Sequence, residues 1–107
     1  MKGVVVNPFF DWAGDRLPKT PYAETVIYEA HVKGLTQTHP DVPPHLRGSY
    51  SALSSPAIID HLKRLGVTSI ELLPIHGLVD DRMLVEKKLT NYWGYNSLAF
   101  FAPEGRY

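Results

Sequence analysis

A chain of 107 residues with eleven basic and eleven acidic side chains has no formal net charge at pH 7. This balance argues against a nucleic-acid interface and against an electrostatic membrane anchor, because both need an excess of Lys and Arg. The absence of cysteine excludes disulfides and thiolate metal sites and suits a reducing cytoplasm. The first residues have neither the apolar core of a signal peptide nor the roughly 20 apolar residues of a membrane span.

Residues 1–25 are expected to form an irregular linker arm across a neighbouring domain. The apolar run Val4-Val5-Val6 has the composition of a short edge strand, but Asn7-Pro8 and a segment dense in turn residues follow it. Prolines at positions 8, 18 and 21 remove backbone donors that a central strand needs.

Two strands are predicted next. The β-branched and aromatic residues over 25–32 are typical of a parallel strand buried on both faces, and we expect Gly34 to end it. The prolines and glycine between residues 36 and 55 predict a long loop, which in a compact domain is usually functional. The second strand is predicted over residues 67–75, with Pro74 marking its carboxyl end.

A helix is predicted between these strands. Ser54 or Ser55 can cap it, Pro56 fits its first position, and Gly66 fits the left-handed residue that ends it. Apolar residues at positions 58, 62 and 65 form a stripe on one face. A strand, a crossover helix and a second strand make a βαβ unit, which is parallel and right-handed in nearly all proteins.

A second excursion is predicted over residues 76–90, with a short helix over 81–89, and a third short strand over 97–102 ends at Pro103. No glycine-rich phosphate turn follows the first strand, and the strand ends lead into aromatic-bearing loops. The predicted fold class is therefore α/β: a partial (β/α)8 TIM barrel with two to three strands, one crossover helix and long loops. A complete barrel needs about 250 residues.

The loop over residues 91–96 is the main candidate site. It places three aromatic rings within four residues around Gly94, beside two asparagines. Aromatic faces stack on the C–H face of a pyranose ring, and amides hydrogen-bond its hydroxyls. The alternative is that these rings seal the mouth of the barrel.

Histidines and carboxylates are the candidate residues for catalysis and metal binding. The five histidines lack the spacing of a metal site, and we expect neither a metal nor another cofactor. His31 and His76 follow the ends of two predicted strands, where they either meet at a site or form structural hydrogen bonds. Glycoside hydrolysis needs two carboxylates. Glu29 and Glu71 are expected to belong to a buried structural network rather than to form that pair.

Three sequence blocks resemble the start of the catalytic barrel in isoamylase-type glycogen debranching enzymes, of the α-amylase family of glycoside hydrolases. The blocks read VIYEAHVKGLT (26–36), HLKRLGVTSIELLPIH (61–76) and NYWGYN (91–96). The first two are shared with isoamylases, trehalose-forming hydrolases and, more loosely, branching enzymes. VVVNP and DW in the arm are similar to the segment that joins a preceding β-sandwich to the barrel. The implied domains are a linker arm (1–25) and an incomplete first part of the barrel (26–107).

The resemblance implies hydrolysis of α-1,6 branch linkages by a retaining mechanism with an aspartate nucleophile and a glutamate acid/base. The implied partner is an α-glucan: glycogen, limit dextrin or maltooligosaccharide. Tyr95 matches the tyrosine that stacks on the sugar before the scissile bond, and Trp93 and Asn91 lie in the same loop. The family's catalytic carboxylates have no counterpart here, so we expect the 107 residues alone to be inactive. We also expect them to fold poorly, because two or three parallel strands leave an open edge and uncovered apolar faces. The alternative is a non-catalytic carbohydrate-binding remnant.

Overall fold

The computed structural model describes Gly3 and residues 5–107. In chain order its elements are a 3-10 helix (Tyr22–Glu24), β1 (Ile27–Ala30), α1 (Val32–Thr36), a second 3-10 helix (Tyr50–Ser54), α2 (Pro56–Arg64), β2 (Ser69–Leu72), β3 (His76–Leu78), α3 (Arg82–Glu86) and β4 (Ser97–Pro103). The described residues thus form a mixed α/β structure. None of their helices is long and apolar enough to cross a membrane.

The predicted βαβ unit is confirmed. β1 and β2 pair in parallel, with Ile27 opposite Ser69 and Ala30 opposite Leu72. Ser55 occupies the N-cap position of α2 and Pro56 begins the helix, as expected, but the Ser55 side chain makes no capping hydrogen bond. Gly66 follows the helix with a φ of +72°, which is the left-handed conformation that glycine adopts without steric cost. Both strands are shorter than predicted.

The first strand ends earlier than expected. It stops at Ala30, and His31 caps the short helix α1, so the prediction of extended chain up to Gly34 was wrong. The reason is a local hydrogen-bond pattern: His31 Nδ1 accepts the backbone N–H groups of Lys33 and Gly34, each at 3.1 Å. Histidine is not among the preferred helix caps, and the sequence therefore carried little sign of this helix.

The core lies between α2 and the loop that precedes it. Val42, Ala52 and Ile58 are buried together. Partly buried apolar residues pack against them: Leu35, Leu46, Ala57 and Leu62. The long loop therefore contributes residues to the core. Arg47 stabilises this loop by donating from Nε to the carbonyl of Val42 at 2.9 Å.

The third predicted strand exists, but its partner differs from the expected one. β4 pairs antiparallel with β3, which lies in the segment predicted as an excursion, and the two form a sheet separate from β1 and β2. The expectation of a third parallel barrel strand was wrong for the described residues. Pro74 cannot donate to a ladder, so the chain leaves β2 there and turns back to form β3. The short helix predicted in this excursion is confirmed as α3.

The arm has no helix or strand over residues 5–21. An edge strand was predicted for residues 4–6. Val4 lies outside the described residues, and Val5 and Val6 are exposed and belong to no strand. Phe10 and Trp12 make an edge-to-face contact, with ring centroids 4.9 Å apart.

Candidate functional site

The 91–96 loop is a tight turn held against the end of β2. Asn91 Oδ1 accepts the N–H of Gly94 at 2.9 Å, and the N–H of Asn91 donates to Asp80 Oδ1 at 2.6 Å. Gly94 is buried with a φ of +80°, and a Cβ there would lie 3.0 Å from the carbonyl oxygen of Pro74. Asn91, predicted as a binding residue, therefore uses its side-chain oxygen to form the turn.

The three aromatic rings of this loop divide into two groups. Tyr92 stacks on His31, with centroids 4.1 Å apart and planes 8° from parallel. Trp93 packs edge-on against Tyr92 but is 59% exposed, and Tyr95 is 69% exposed. Tyr92 thus uses one face to pack on His31 and is still 42% exposed, while Trp93 and Tyr95 present more surface that a ligand can contact.

Tyr95 lies on an open cleft of about 440 Å³ at the carboxyl ends of β1 and β2. Its lining combines carboxylates, an imidazole and apolar groups: Glu29, Glu71, Leu72, Leu73, Pro74, His76, Tyr95, Ser97 and Phe100. A surface with flat apolar patches beside charged acceptors matches a pyranose ring, which has apolar C–H faces and a perimeter of hydroxyls.

Glu29 and Glu71 face this cleft together. They are register partners on adjacent parallel strands, so their side chains lie on the same face of the sheet. Both are exposed, and the expectation of a buried carboxylate network was wrong. The strands stop soon after these positions, and the described residues leave this face of the two-stranded sheet uncovered.

The two histidines do not share a site. His31 is buried beneath Tyr92, whereas His76 lines the cleft. His76 Nδ1 accepts the N–H of Phe101 at 2.9 Å, which leaves Nε2 as the N–H donor of the neutral ring. Among the described residues, no group of three or more His, Asp or Glu is placed to hold a metal ion.

A polar network that the sequence did not reveal holds the 91–96 loop. Arg106 donates to Asp80 Oδ1 at 2.8 Å, and its Nε lies 3.2 Å from Glu104 Oε1. Glu104 is buried, and its Oε2 accepts the N–H of Leu78 at 3.1 Å. These contacts thus connect β3 to Glu104, Glu104 to Arg106, Arg106 to Asp80 and Asp80 to Asn91. The only sequence signal was a pair of charged residues after Pro103.

The same contacts shift the pKa values of the charged groups in this network. Hydrogen bonds from Arg106 and from the N–H of Asn91 hold the pKa of Asp80 below its ordinary value. The hydrogen bond to Asp80 raises the pKa of Arg106. Burial raises the pKa values of Tyr50 and Tyr107, which pack edge to face with centroids 5.8 Å apart.

Comparison with known proteins adds a family resemblance to this geometry. The chain is 62% identical over 107 residues to proteins of Mycobacterium tuberculosis and Mycobacterium bovis named glycogen operon protein GlgX homolog. It is 55% identical over 106 residues to a Yersinia pseudotuberculosis protein named glycogen debranching enzyme. The resemblance to glycogen debranching enzymes is confirmed. No family model matches the chain.

The match to these debranching-enzyme relatives covers 100% or 99% of this chain but only 15% or 16% of theirs. It therefore includes every residue of the cleft, of the 91–96 loop and of the network that holds the loop. The chain corresponds to a segment of the relatives, within which the candidate site lies.

Proposed function

We propose that this chain is part of a glycogen-debranching glycoside hydrolase that cleaves α-1,6-glucosidic branch linkages in glycogen or limit dextrin. Its cleft binds a glucosyl ring against Tyr95. The observation that carries this proposal is the exposed Tyr95 ring beside two carboxylates in one cleft. The whole-length match to proteins named glycogen debranching enzymes supports it.

Each part of the cleft has a role in binding a sugar. Tyr95 stacks on the C–H face of the ring just before the scissile bond. Trp93 is 59% exposed and lies outside the cleft lining, and it contacts the glucan beyond the cleft. Glu29 and Glu71 accept hydrogen bonds from sugar hydroxyls, and charged acceptors make such bonds about twice as strong as neutral ones. His76 Nε2–H donates to a hydroxyl or ring oxygen. Asn91 contributes through the shape of the turn.

The acid/base pair is assigned to other parts of a longer polypeptide. Retaining hydrolysis needs two carboxyl groups about 5–5.5 Å apart that flank the scissile bond, one as acid and one as nucleophile. Glu29 and Glu71 are neighbours on one sheet face, so they reach a ligand from the same side and cannot flank its bond. The 107 residues alone should therefore bind glucan without hydrolysing it.

The domain assignment follows from this proposal. Residues 1–25 form the arm that joins a preceding domain to the barrel, and residues 26–107 form the first part of a (β/α)8 barrel. The parallel pair β1 and β2 with α2 supplies its first strands. The β3–β4 hairpin is an excursion at the carboxyl ends of these strands, where barrels of this class build their sites.

A chimera tests the proposal. The matched segment of the M. tuberculosis relative is replaced by this chain, and the release of linear chains from limit dextrin is measured. Tyr95→Ala should lower kcat/KM about tenfold, the effect of ~1.4 kcal/mol of lost contact, whereas Tyr95→Phe should retain most activity. Tyr22→Ala is the matched control, because Tyr22 is 96% exposed and does not line the cleft. Equal effects of the two alanine variants would refute the role of Tyr95.

Direct binding separates the hydrolase from the carbohydrate-binding remnant. The 107-residue chain is titrated with maltooligosaccharide while tryptophan fluorescence is recorded. Saturable binding by the chain together with an active chimera supports the enzyme. Saturable binding with an inactive chimera favours the remnant. An inactive chimera together with no binding by a chain that circular dichroism shows to be folded would overturn both.

A further inference from the structure

His31 makes polar contacts with two separate parts of the chain. It is 7% exposed and lies at the junction of β1 and α1. On one side Nδ1 accepts two backbone N–H groups at the start of α1. On the other side Nε2 lies 2.6 Å from the carbonyl oxygen of Tyr92. Because Nδ1 accepts, the neutral ring carries its proton on Nε2 and donates it to that carbonyl.

The ring of His31 also fixes the aromatic part of the loop. The Tyr92 ring stacks on it, Trp93 meets it edge to face at 6.4 Å, and the Tyr107 hydroxyl lies 3.2 Å from Nε2. Gly34 makes the stack possible, since a Cβ there would lie 2.5 Å from the Tyr92 hydroxyl oxygen. Only two residues, Trp93 and Gly94, separate Tyr92 from Tyr95.

We propose that His31 is a positioning residue for the sugar site, acting through the Tyr92 carbonyl to set where Trp93 and Tyr95 meet a glucan. This inference rests on the proposed glucan-binding role of the cleft. A cap alone does not need imidazole, because Ser, Asp and Asn cap helices better. Among neutral side chains, imidazole is distinctive in presenting an acceptor to the helix and a donor to the loop on opposite sides of one rigid ring.

Two substitutions separate the functions of the two ring nitrogens. In His31→Asn the amide oxygen takes the place of Nδ1 and keeps the cap, but nothing reaches the Tyr92 carbonyl. In His31→Gln the longer amide nitrogen takes the place of Nε2 and keeps the donor to the loop, but the cap is lost. If His31 acts only as a helix cap, His31→Gln should destabilise the fold more than His31→Asn. If His31 positions the loop, His31→Asn should disturb the loop and weaken sugar binding more than His31→Gln.

The first readout is independent of sugar. The chain is labelled with 5-fluorotryptophan, and Trp12→Phe assigns the ¹⁹F resonances, since the sequence has two tryptophans. His31→Asn should shift or broaden the Trp93 resonance and leave Trp12 unchanged. His31→Gln also loses the ring that stacks on Tyr92 and meets Trp93, but it keeps the donor to the Tyr92 carbonyl. It should therefore shift the Trp93 resonance less than His31→Asn does and leave Trp12 unchanged. Circular dichroism confirms that each variant is folded, and an unmoved Trp93 resonance in folded His31→Asn would overturn the proposal.

The second readout is the affinity for maltooligosaccharide, measured by fluorescence titration of the same chain. His31→Asn should weaken binding about tenfold, as expected for one net hydrogen bond, and His31→Gln less than threefold. A shifted Trp93 resonance with no sugar binding by the unsubstituted chain would refute the glucan function while retaining the loop contact. Equal affinity of the unsubstituted chain and folded His31→Asn would refute positioning while retaining the glucan function.

Discussion

Gly94 is the residue on which the shape of the 91–96 loop depends most directly, and Gly94→Ala tests this. Its φ of +80° is a left-handed conformation, which costs a residue with a Cβ about 1–2 kcal/mol. The added methyl would also lie 3.0 Å from the Pro74 carbonyl oxygen and 3.1 Å from Leu78 Cδ2. Overpacking of this kind costs about 1–3 kcal/mol, so the left-handed backbone and the steric contact together should cost about 2–5 kcal/mol.

Two other glycines separate these contributions. Gly66 has a φ of +72° but nothing within 4 Å of an added Cβ, so Gly66→Ala measures the backbone cost alone, about 1–2 kcal/mol. Gly105 has open space and no such φ, and Gly105→Ala should stay within about 0.5 kcal/mol of the unsubstituted chain. The free energy of unfolding is measured for all three by urea titration with circular dichroism.

The expected order of destabilisation is Gly94→Ala, then Gly66→Ala, then Gly105→Ala. Gly94→Ala should also weaken maltooligosaccharide binding, because Tyr95 is the next residue and moves with the turn. Equal costs at positions 94 and 66 would refute the steric part of the reasoning. An unchanged free energy of unfolding in all three variants would refute the backbone part as well.

Two further predictions concern the polar network. Glu104→Gln should destabilise the chain by about 1–3 kcal/mol in urea titration, because the new amide leaves a buried donor facing a donor. Glu86→Gln, on a side chain that is 62% exposed, is the matched control and should change little. The Asp80 pKa is lowered by Arg106, so its contribution to stability is present above the ordinary value of 3.8 and is lost as the pH falls below it. Asp80→Asn should flatten this acid dependence in thermal unfolding between pH 5 and 2, and an unchanged slope would refute the assignment.

The features predicted correctly from the sequence are those whose causes are local. Pro56 and Gly66 bracket α2 within a single segment, and the parallel pairing of β1 and β2 follows from the handedness of crossover connections. The resemblance to debranching enzymes also needs only contiguous blocks of residues. Each of these depends on neighbours along the chain or on a rule that holds for nearly all folds.

The features that the sequence did not reveal depend on contacts between distant residues. His31 meets the carbonyl of Tyr92 across 61 positions, and Arg106 meets Asp80 across 26. The pairing of β4 with β3 rather than with β2 is of the same kind, as is the exposure of Glu29 and Glu71 on one face.

The sequence by itself therefore determined the resemblance to glycogen debranching enzymes, the central helix and the aromatic loop as the candidate site. Only the tertiary structure decided which tyrosine of that loop stacks on His31 and which lies on the cleft. Tyr92 and Tyr95 are chemically identical, and the difference arises because His31 and Gly34 provide a surface for the first, whereas the positive φ at Gly94 turns the chain before the second. The difference between Tyr92 and Tyr95 comes from tertiary packing, which a local sequence pattern does not predict.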